Sequence, residues 1–393
     1  MDANEVEHPT TSRHKCSACF KQYNKKEYLI EHMKISYHSS HQPKCMVCKK
    51  HCKTLESVRE HLTGPLSNSN CAKVFEKLGC NLCLEIFHNS EDLIAHKFTC
   101  NLAPITFPGL KELLVDQGEL YIKDHSEVPK VIAMDCEMVG CGSDGSLDVC
   151  VRVCLVDINE NVIFHSYVKP IIPVTDYRYE ITGICEEDLI DAKPINEVQE
   201  RILKILYNGE ESIARIRLHG GKACLLVGHS LDIDLDCLRI NYPDHLIRDS
   251  AKYVPLLKTN MVSHSLKYLT KMYLGYQIQS GVHDPFEDCV ATLRLYKRLR
   301  MQEHHDVERL AEDDIPEFFD TKTRNIDLMK GDELLKKSAN ELLEMSTSNY
   351  RCWCLDRQLC INHRWPSQNS GSYCCNWNAT IHGDFYLSSA ASN

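Results

Sequence analysis

Three times before residue 101 the chain repeats one spacing, Cys-x2-Cys-x12-His. A unit of roughly 25 residues is too small to bury a core of its own, so a metal has to close it. The first copy, CSACFKQYNKKEYLIEHMKISYH, supplies Cys16, Cys19, His32 and His38. Tyr23 and Leu29 stand at the offsets where a ββα finger packs an aromatic and a leucine beneath its ion. The third copy supplies Cys80, Cys83, His96 and Cys100, with Phe87 and Leu93 at the same offsets. The middle copy has Cys45, Cys48 and His61, with Val58 at the leucine position but Cys52 where the aromatic belongs. Its best fourth ligand is Cys71, ten residues beyond His61 across GPLSNSN. Thiolate and imidazole sets at these spacings point to structural Zn2+, two or three ions in all, and to metal-dependent folding.

The 22 cysteines would suggest disulfides in a secreted chain, but the N-terminal MDANEVEHPTTSRHK has no apolar signal core. Metal binding in a reducing compartment is the better reading. No apolar run approaches the length of a membrane span, so no membrane partner is expected. A net charge of −10 argues against a protein that coats nucleic acid, yet Arg13 to Lys53 is rich in lysine, with Lys25, Lys26, Lys49, Lys50 and Lys53. A basic front on an acidic body can hold a phosphate backbone. Nothing in KKEYLIEHMK specifies a base code, so DNA, RNA and protein all stay open as finger partners.

From Val131 the pattern becomes α/β. VIAMDCEM, VRVCLVDI and NVIFHSYV read as strands, the last two joined as an antiparallel hairpin by an NEN turn. PINEVQERILKILYNG has helical spacing, ACLLVGH is a short buried strand, and SLDIDLDCLRI, SLKYLTKMYLG and DPFEDCVATLRLYKRLRMQEH read as helices. Strands in a hairpin followed by alternating helix and strand predict a mixed sheet flanked by helices. Asp135 and Glu137 end a buried strand two residues apart, on one side of it, where like charges resist burial. Bound divalent cations would compensate them. Acids recur in VGHSLDIDLDCL and in HDPFEDCVATLRLY, where Asp284 suits an N-cap and Pro285 the first helical turn. Taken singly, each acid would more often be a cap than a ligand.

MDCEMVG, GHSLDIDL and HDPFED, in this order, resemble the three motifs of the DEDDh 3′-to-5′ exonucleases, most of all the RNA exonuclease 4 type. YVKPIIPVTDYRYEITGI, RDSAKY and SHSLKYLTKMYLG extend the resemblance over roughly 130–300, and plant members of that group also carry N-terminal fingers. The resemblance implies a ribonuclease-H-like α/β fold. It implies that Asp135, Glu137, Asp234 and Asp288 hold two Mg2+ or Mn2+ ions, hard cations suited to an all-oxygen site. Asp135 would bridge both ions, Glu137 and Asp288 would hold the one carrying the attacking water, and Asp234 would support the other. His283 would act as general base. Asp232 and Asp236 would face solvent. The substrate implied is RNA with a single-stranded 3′ end, the product nucleoside 5′-monophosphates, and the location the nucleus or nucleolus, with cytoplasm as the alternative. A DNA exonuclease of the same fold and an inactive zinc-finger nucleic-acid-binding protein are the rivals.

The expected organisation is a disordered stretch 1–12, fingers at 13–40, 43–75 and 78–102, a linker 103–129, an exonuclease unit 130–305 and a tail 306–393. In that tail DELLKKSANELLEM has helical character. The cysteine-rich remainder, with Cys352, Cys354, Cys360, His363, Cys374 and Cys375, fits no finger and reads as disordered rather than as another zinc site.

Overall fold

The computed structural model describes residues 13–105, 130–302 and 325–360. The N-terminal stretch, most of the linker and the last part of the tail, with His363, Cys374 and Cys375, lie outside the described residues.

In the first finger, strands β1 (His14–Lys15) and β2 (Gln22–Tyr23) pair antiparallel ahead of helix α1 (Lys26–Ser36). The middle finger has a single bridge between Lys44 and His51, then α2 (Leu55–Thr63), whose N-cap Thr54 accepts a hydrogen bond from Ser57 N. GPLSNSN ends in a new helix, α3 (Ser69–Leu78), with Asn68 as N-cap accepting from the amides of Asn70 and Cys71. That cap delivers Cys71 to its finger despite the long gap. In the third finger a bridge from Gly79 to Ile86 precedes α4 (Ser90–Cys100).

The larger unit is built on a seven-stranded mixed sheet. Strands β3 (Val131–Cys141), β4 (Leu147–Asp157) and β5 (Val162–Lys169) form an antiparallel meander, and β6 (Val174–Asp176) pairs with the far end of β3. After the short α5 (Tyr179–Thr182), β7 (Lys193–Pro194) joins β5 in parallel and leads into α6 (Ile195–Tyr207). Helix α7 (Ile213–His219) lies within GEESIARIRLHGGKA. Then β8 (Leu225–Gly228) lies parallel to β3, followed by α8 (Leu231–Cys237) and the edge strand β9 (Ile247–Asp249). Helix α9 (Leu266–Leu269) continues into a π-helical turn, and α10 (Pro285–Arg300) crosses the sheet. This is the expected α/β layering. α6 buries Val198, Ile202 and Leu206 on one stripe, while α10 buries most of its residues.

Two features differ from a string of small units. Leu55, Val58, Leu62, Cys71, Phe75 and Leu84 of the second and third fingers belong to the same apolar cluster as the sheet. Arg59 reinforces this joint by donating to the carbonyls of Asn81 (2.6 Å) and Met272 (3.3 Å), and Tyr268 donates to Glu56 (2.9 Å). Arg298 of α10 donates to the carbonyls of Cys100 and Tyr273. The physical reason is size: each finger leaves an apolar helix face that its own few residues cannot cover.

The tail is also folded where it is described: DELLKKSANELLEM is helical as expected, and the stretch around Cys352 and Cys354, which reads as disordered, takes up regular structure as well. The tail forms α11 (Asn325–Leu328), α12 (Gly331–Leu334), α13 (Ala339–Met345) and a 3-10 segment, Trp353–Cys360. Ile326, Leu334 and Leu342 complete the core of the first finger with Leu29, Ile30 and Met33, so that core draws on residues from the far end of the chain. Leu62, 2% exposed, sits where finger and nuclease cores merge. Leu62→Ala is expected to destabilise the whole nuclease unit by about 2–5 kcal/mol in chemical denaturation. A loss confined to the finger, with the sheet melting unchanged, would contradict the shared core.

Candidate active site

Asp135 and Glu137 do not end their strand as expected, because pairing with β4 carries β3 on to Cys141; register along that hairpin sets the acid pair. Asp135 lies opposite Cys154 and Glu137 opposite Arg152, with a bulge just after Glu137. On the other side β3 pairs with β8 through Ala133 and Val227, so β8 ends beside Asp135. The turn into α8 is tight, and a Cβ on Gly228 would collide with the Leu231 side chain and the Met134 carbonyl. Asp249 fastens this turn by accepting from the amides of Ser230 (2.8 Å) and Leu231 (3.2 Å). Helix α8 thereby buries Asp234, while Asp232 and Asp236 face solvent and Asp232 pairs with Lys252 at 3.4 Å. Asp288 arrives from α10, whose N-cap Asp284 accepts from Phe286 N and whose first turn holds Pro285. The Cys289 thiol donates to the carbonyl of Cys154 (3.3 Å), which sets that turn against the strand position facing Asp135.

Glu137, Asp234 and Asp288 are buried and Asp135 half-buried. Burial raises the Asp135 pKa well above the usual carboxylate range, and the charges of Asp288, Asp234 and Glu137 add to the shift. Glu137 is pushed up to about 8 by burial and then by Asp288, with Arg152 opposing. Burial lifts Asp234 to about 8 and Asp288 to about 7. Four acids that repel one another out of water form a site that a divalent cation would relieve.

One atom tests that fit directly. Asp288 Oδ2 accepts a hydrogen bond from Gln279 Nε2 at 2.7 Å, while its Oδ1 is buried with no hydrogen-bond partner. A buried acceptor left bare is costly. One oxygen oriented by an amide and the other left open is the donor arrangement a hard cation requires.

His283 stands on the loop before α10, half-buried, with its amide donating to Ile181 O (2.7 Å). Its imidazole pKa is lowered by partial burial and then by Lys267. Among the described residues no hydrogen bond joins its ring to the four acids. Two neighbours escaped the sequence reasoning. Gln279 has no motif around it. Arg152, paired with Asp284 at 3.6 Å and bonded to His165 at 2.9 Å, is set beside Glu137 by hairpin register alone.

The finger residues gather as three sets, Cys16/Cys19/His32/His38, Cys45/Cys48/His61/Cys71 and Cys80/Cys83/His96/Cys100, each with its four ligand atoms within 4.8 Å of one another. His32 and His38 approach at 3.2 Å through Nε2, Cys83 and His96 at 3.3 Å, and Cys80 and Cys100 at 3.7 Å. Tetrahedral zinc with ordinary bond lengths would give edges of about 3.3–3.8 Å. These sets can hold zinc.

A mixed sheet flanked by helices, with buried carboxylates gathered where β3 and β8 run parallel, defines a ribonuclease-H-like exonuclease fold. Residues 132–296 match the model of the Exonuclease family. The chain is 33% identical over 208 residues to RNA exonuclease 4 of Cryptococcus neoformans, covering 52% of this chain and 47% of that protein. It is 36% identical over 175 residues to RNA exonuclease 4 of Aspergillus fumigatus, covering 44% and 52%. It thus spans about half the length of the curated relatives it matches. The pseudoubiquitin hydrolase–RNA exonuclease module of Saccharomyces cerevisiae Pan2 in complex with A7 RNA is 28% identical, with a TM-score of 0.37 over 44% of this chain and 29% of that one.

The raised carboxylate pKa values carry a stability consequence. A folded-state pKa above the unfolded one means that the folded protein binds more protons, so the contribution is full below the ordinary carboxylate range and is lost as pH rises through 7 to 8. In buffer free of magnesium and manganese, the melting temperature is expected to fall between pH 6.5 and 8.5. Glu137→Gln should flatten that fall and raise stability at the upper end by on the order of 2 kcal/mol. Added Mn2+ should restore the parent but leave the variant little changed. A parent curve insensitive to both pH and Mn2+ would sink the idea.

Proposed function

We propose that this chain is a metal-dependent exonuclease that hydrolyses RNA from its 3′ end and releases nucleoside 5′-monophosphates. The observation that carries the reading is the bare, buried Oδ1 of Asp288 beside three more acids with raised pKa values. The Exonuclease match over 132–296 and the similarity to proteins named RNA exonuclease 4 support the reaction class and the choice of RNA.

In this reading Asp135, Glu137, Asp234 and Asp288 hold two Mg2+ or Mn2+ ions. When bound, such ions supply a nucleophilic hydroxide at neutral pH and neutralise charge on the phosphate and the leaving oxygen. Arg152, across the hairpin from Glu137, opposes the upward shift of its pKa. Gln279 fixes the rotation of Asp288 so that one oxygen faces the site. The lowered pKa of His283 leaves its imidazole neutral near pH 7, in the form able to take a proton from the attacking water. The zinc-holding fingers present exposed Lys25, Lys49 and Lys53 as an electrostatic hold on the phosphate backbone. The nucleus is the compartment we assign to it.

Purified protein with Mg2+ or Mn2+ and a 5′-labelled single-stranded RNA, beside matched DNA, tests the reading. A ladder shortening from the 3′ end, faster on RNA, is expected. Asp135→Ala should slow it by on the order of 10³-fold or more, about 4 kcal/mol of barrier. Gln279→Leu should cost roughly 10–100-fold, with partial recovery at high Mn2+. Tight RNA binding without shortening would make the protein a binder instead, and faster shortening of DNA would change its substrate.

A further inference from the structure

Outside the three fingers and the acid site, a fourth set of soft ligands converges: His41, Cys352 and Cys354, with their ligand atoms within 4.8 Å of one another. His41 lies just past the last ligand of the first finger, and the two cysteines lie at the start of the 3-10 segment of the tail. His41 Nδ1 and Cys354 Sγ are 3.1 Å apart across 313 residues of sequence. The thiolate–imidazole contacts inside the three finger sets are 3.2, 3.4 and 3.3 Å. We propose that His41, Cys352 and Cys354 form a fourth zinc site, which fastens the finger array and the tail to the nuclease unit.

The surroundings are those of a built site. Tyr350 O–H donates to the His41 carbonyl at 2.8 Å, tying the two ligand-bearing segments together beside the metal position. Trp353, between the two thiols, stacks on Tyr253 with ring centroids 3.9 Å apart and an 8° interplanar angle. Its amide donates to the Tyr253 hydroxyl, which also lies 3.6 Å from Cys352 Sγ. Two residues after Cys354, Asp356 receives Arg248 Nε and Nη2, both at 2.8 Å, and the hydroxyl of Tyr296 at 3.1 Å. A buried, bidentate ion pair with a third donor fixes the segment against β9 and α10. The Cys-x-Cys pair is therefore held by the nuclease unit and reaches out to a histidine of the finger array.

Two thiolates and an imidazole select zinc over the hard cations of the acid site. Zinc accepts three protein ligands with water in the fourth position. Because this site spans parts remote in sequence, its binding free energy becomes docking free energy, as in folding coupled to metal binding. The same zinc reagent would thus serve two different tasks: closing each finger, and joining the array to its neighbour.

Zinc content of the full chain, purified under reducing conditions and counted by atomic emission, tests the site. Four zinc per chain are expected in the parent and three in both His41→Ala and Cys354→Ser. One equivalent lost in both variants supports the site even where the parent total is below four, since that deficit belongs to the fingers. Equal zinc content in parent and variants overturns it. A second measurement uses the parent alone. Cys354 is only half-buried, so packing does not hide it from a maleimide. In zinc-loaded protein it is expected to react at least tenfold more slowly than after zinc removal. Alkylation of Cys354 in loaded protein at the rate of an exposed thiol also overturns the proposal.

Discussion

Four carboxylates are confined around the middle of β3, a strand that runs on past Asp135 and Glu137 to Cys141. Burial raises the cost of ionising Asp135, and the charges of Asp288, Asp234 and Glu137 raise it further. A flexible scaffold would let them separate. The chain prevents this by drawing the acids from three elements locked to one another: the β3–β4 hairpin, the Asp249-fastened turn into α8, and the first turn of α10 held by Cys289 on Cys154. The repulsion stored there makes the site receptive to cations, and the hydrogen bond from Gln279 to Asp288 gives that receptivity a direction.

The rest of the molecule solves the opposite problem, too little core. Fingers two and three spend their apolar helix faces on the nuclease cluster, and the first finger borrows Ile326, Leu334 and Leu342 from the far end of the chain. Soft ligands and hard ligands are kept apart in this arrangement. Cysteines of β3 and β4 such as Cys136 and Cys154 are buried near the acids as small core residues, while the zinc-type sets lie outside the sheet.

What could be read from sequence was what local spacing encodes. The hairpin, the amphipathic α6, the buried β8 and the Asp284–Pro285 start of α10 all came from period, turn and cap chemistry within short windows. The three finger sets were legible because ligand spacing is local, even Cys71, although the helix that carries it was not foreseen. Helical character in the tail was legible in DELLKKSANELLEM, but its docking was not, because its cysteines find their histidine 313 residues away. Arg152 and Gln279 escaped for a related reason: the first reaches Glu137 through strand register, the second reaches Asp288 through a loop, and neither relation leaves a mark in composition.

The merged core of fingers and sheet also bears on how such a chain can evolve. A finger array tethered by a bare linker could be duplicated, lost or exchanged as a cassette. Here loss of the second and third fingers would strip cover from Leu256, Tyr273 and Leu295, which together with Leu55 and Leu82 enclose a cavity of about 100 Å³ at the joint. A lineage that discarded the fingers would have to resurface α10, the π-helical turn and the 3-10 turn Val254–Leu256 with polar side chains. Polarity at those three positions in a finger-less relative would record that ancestry.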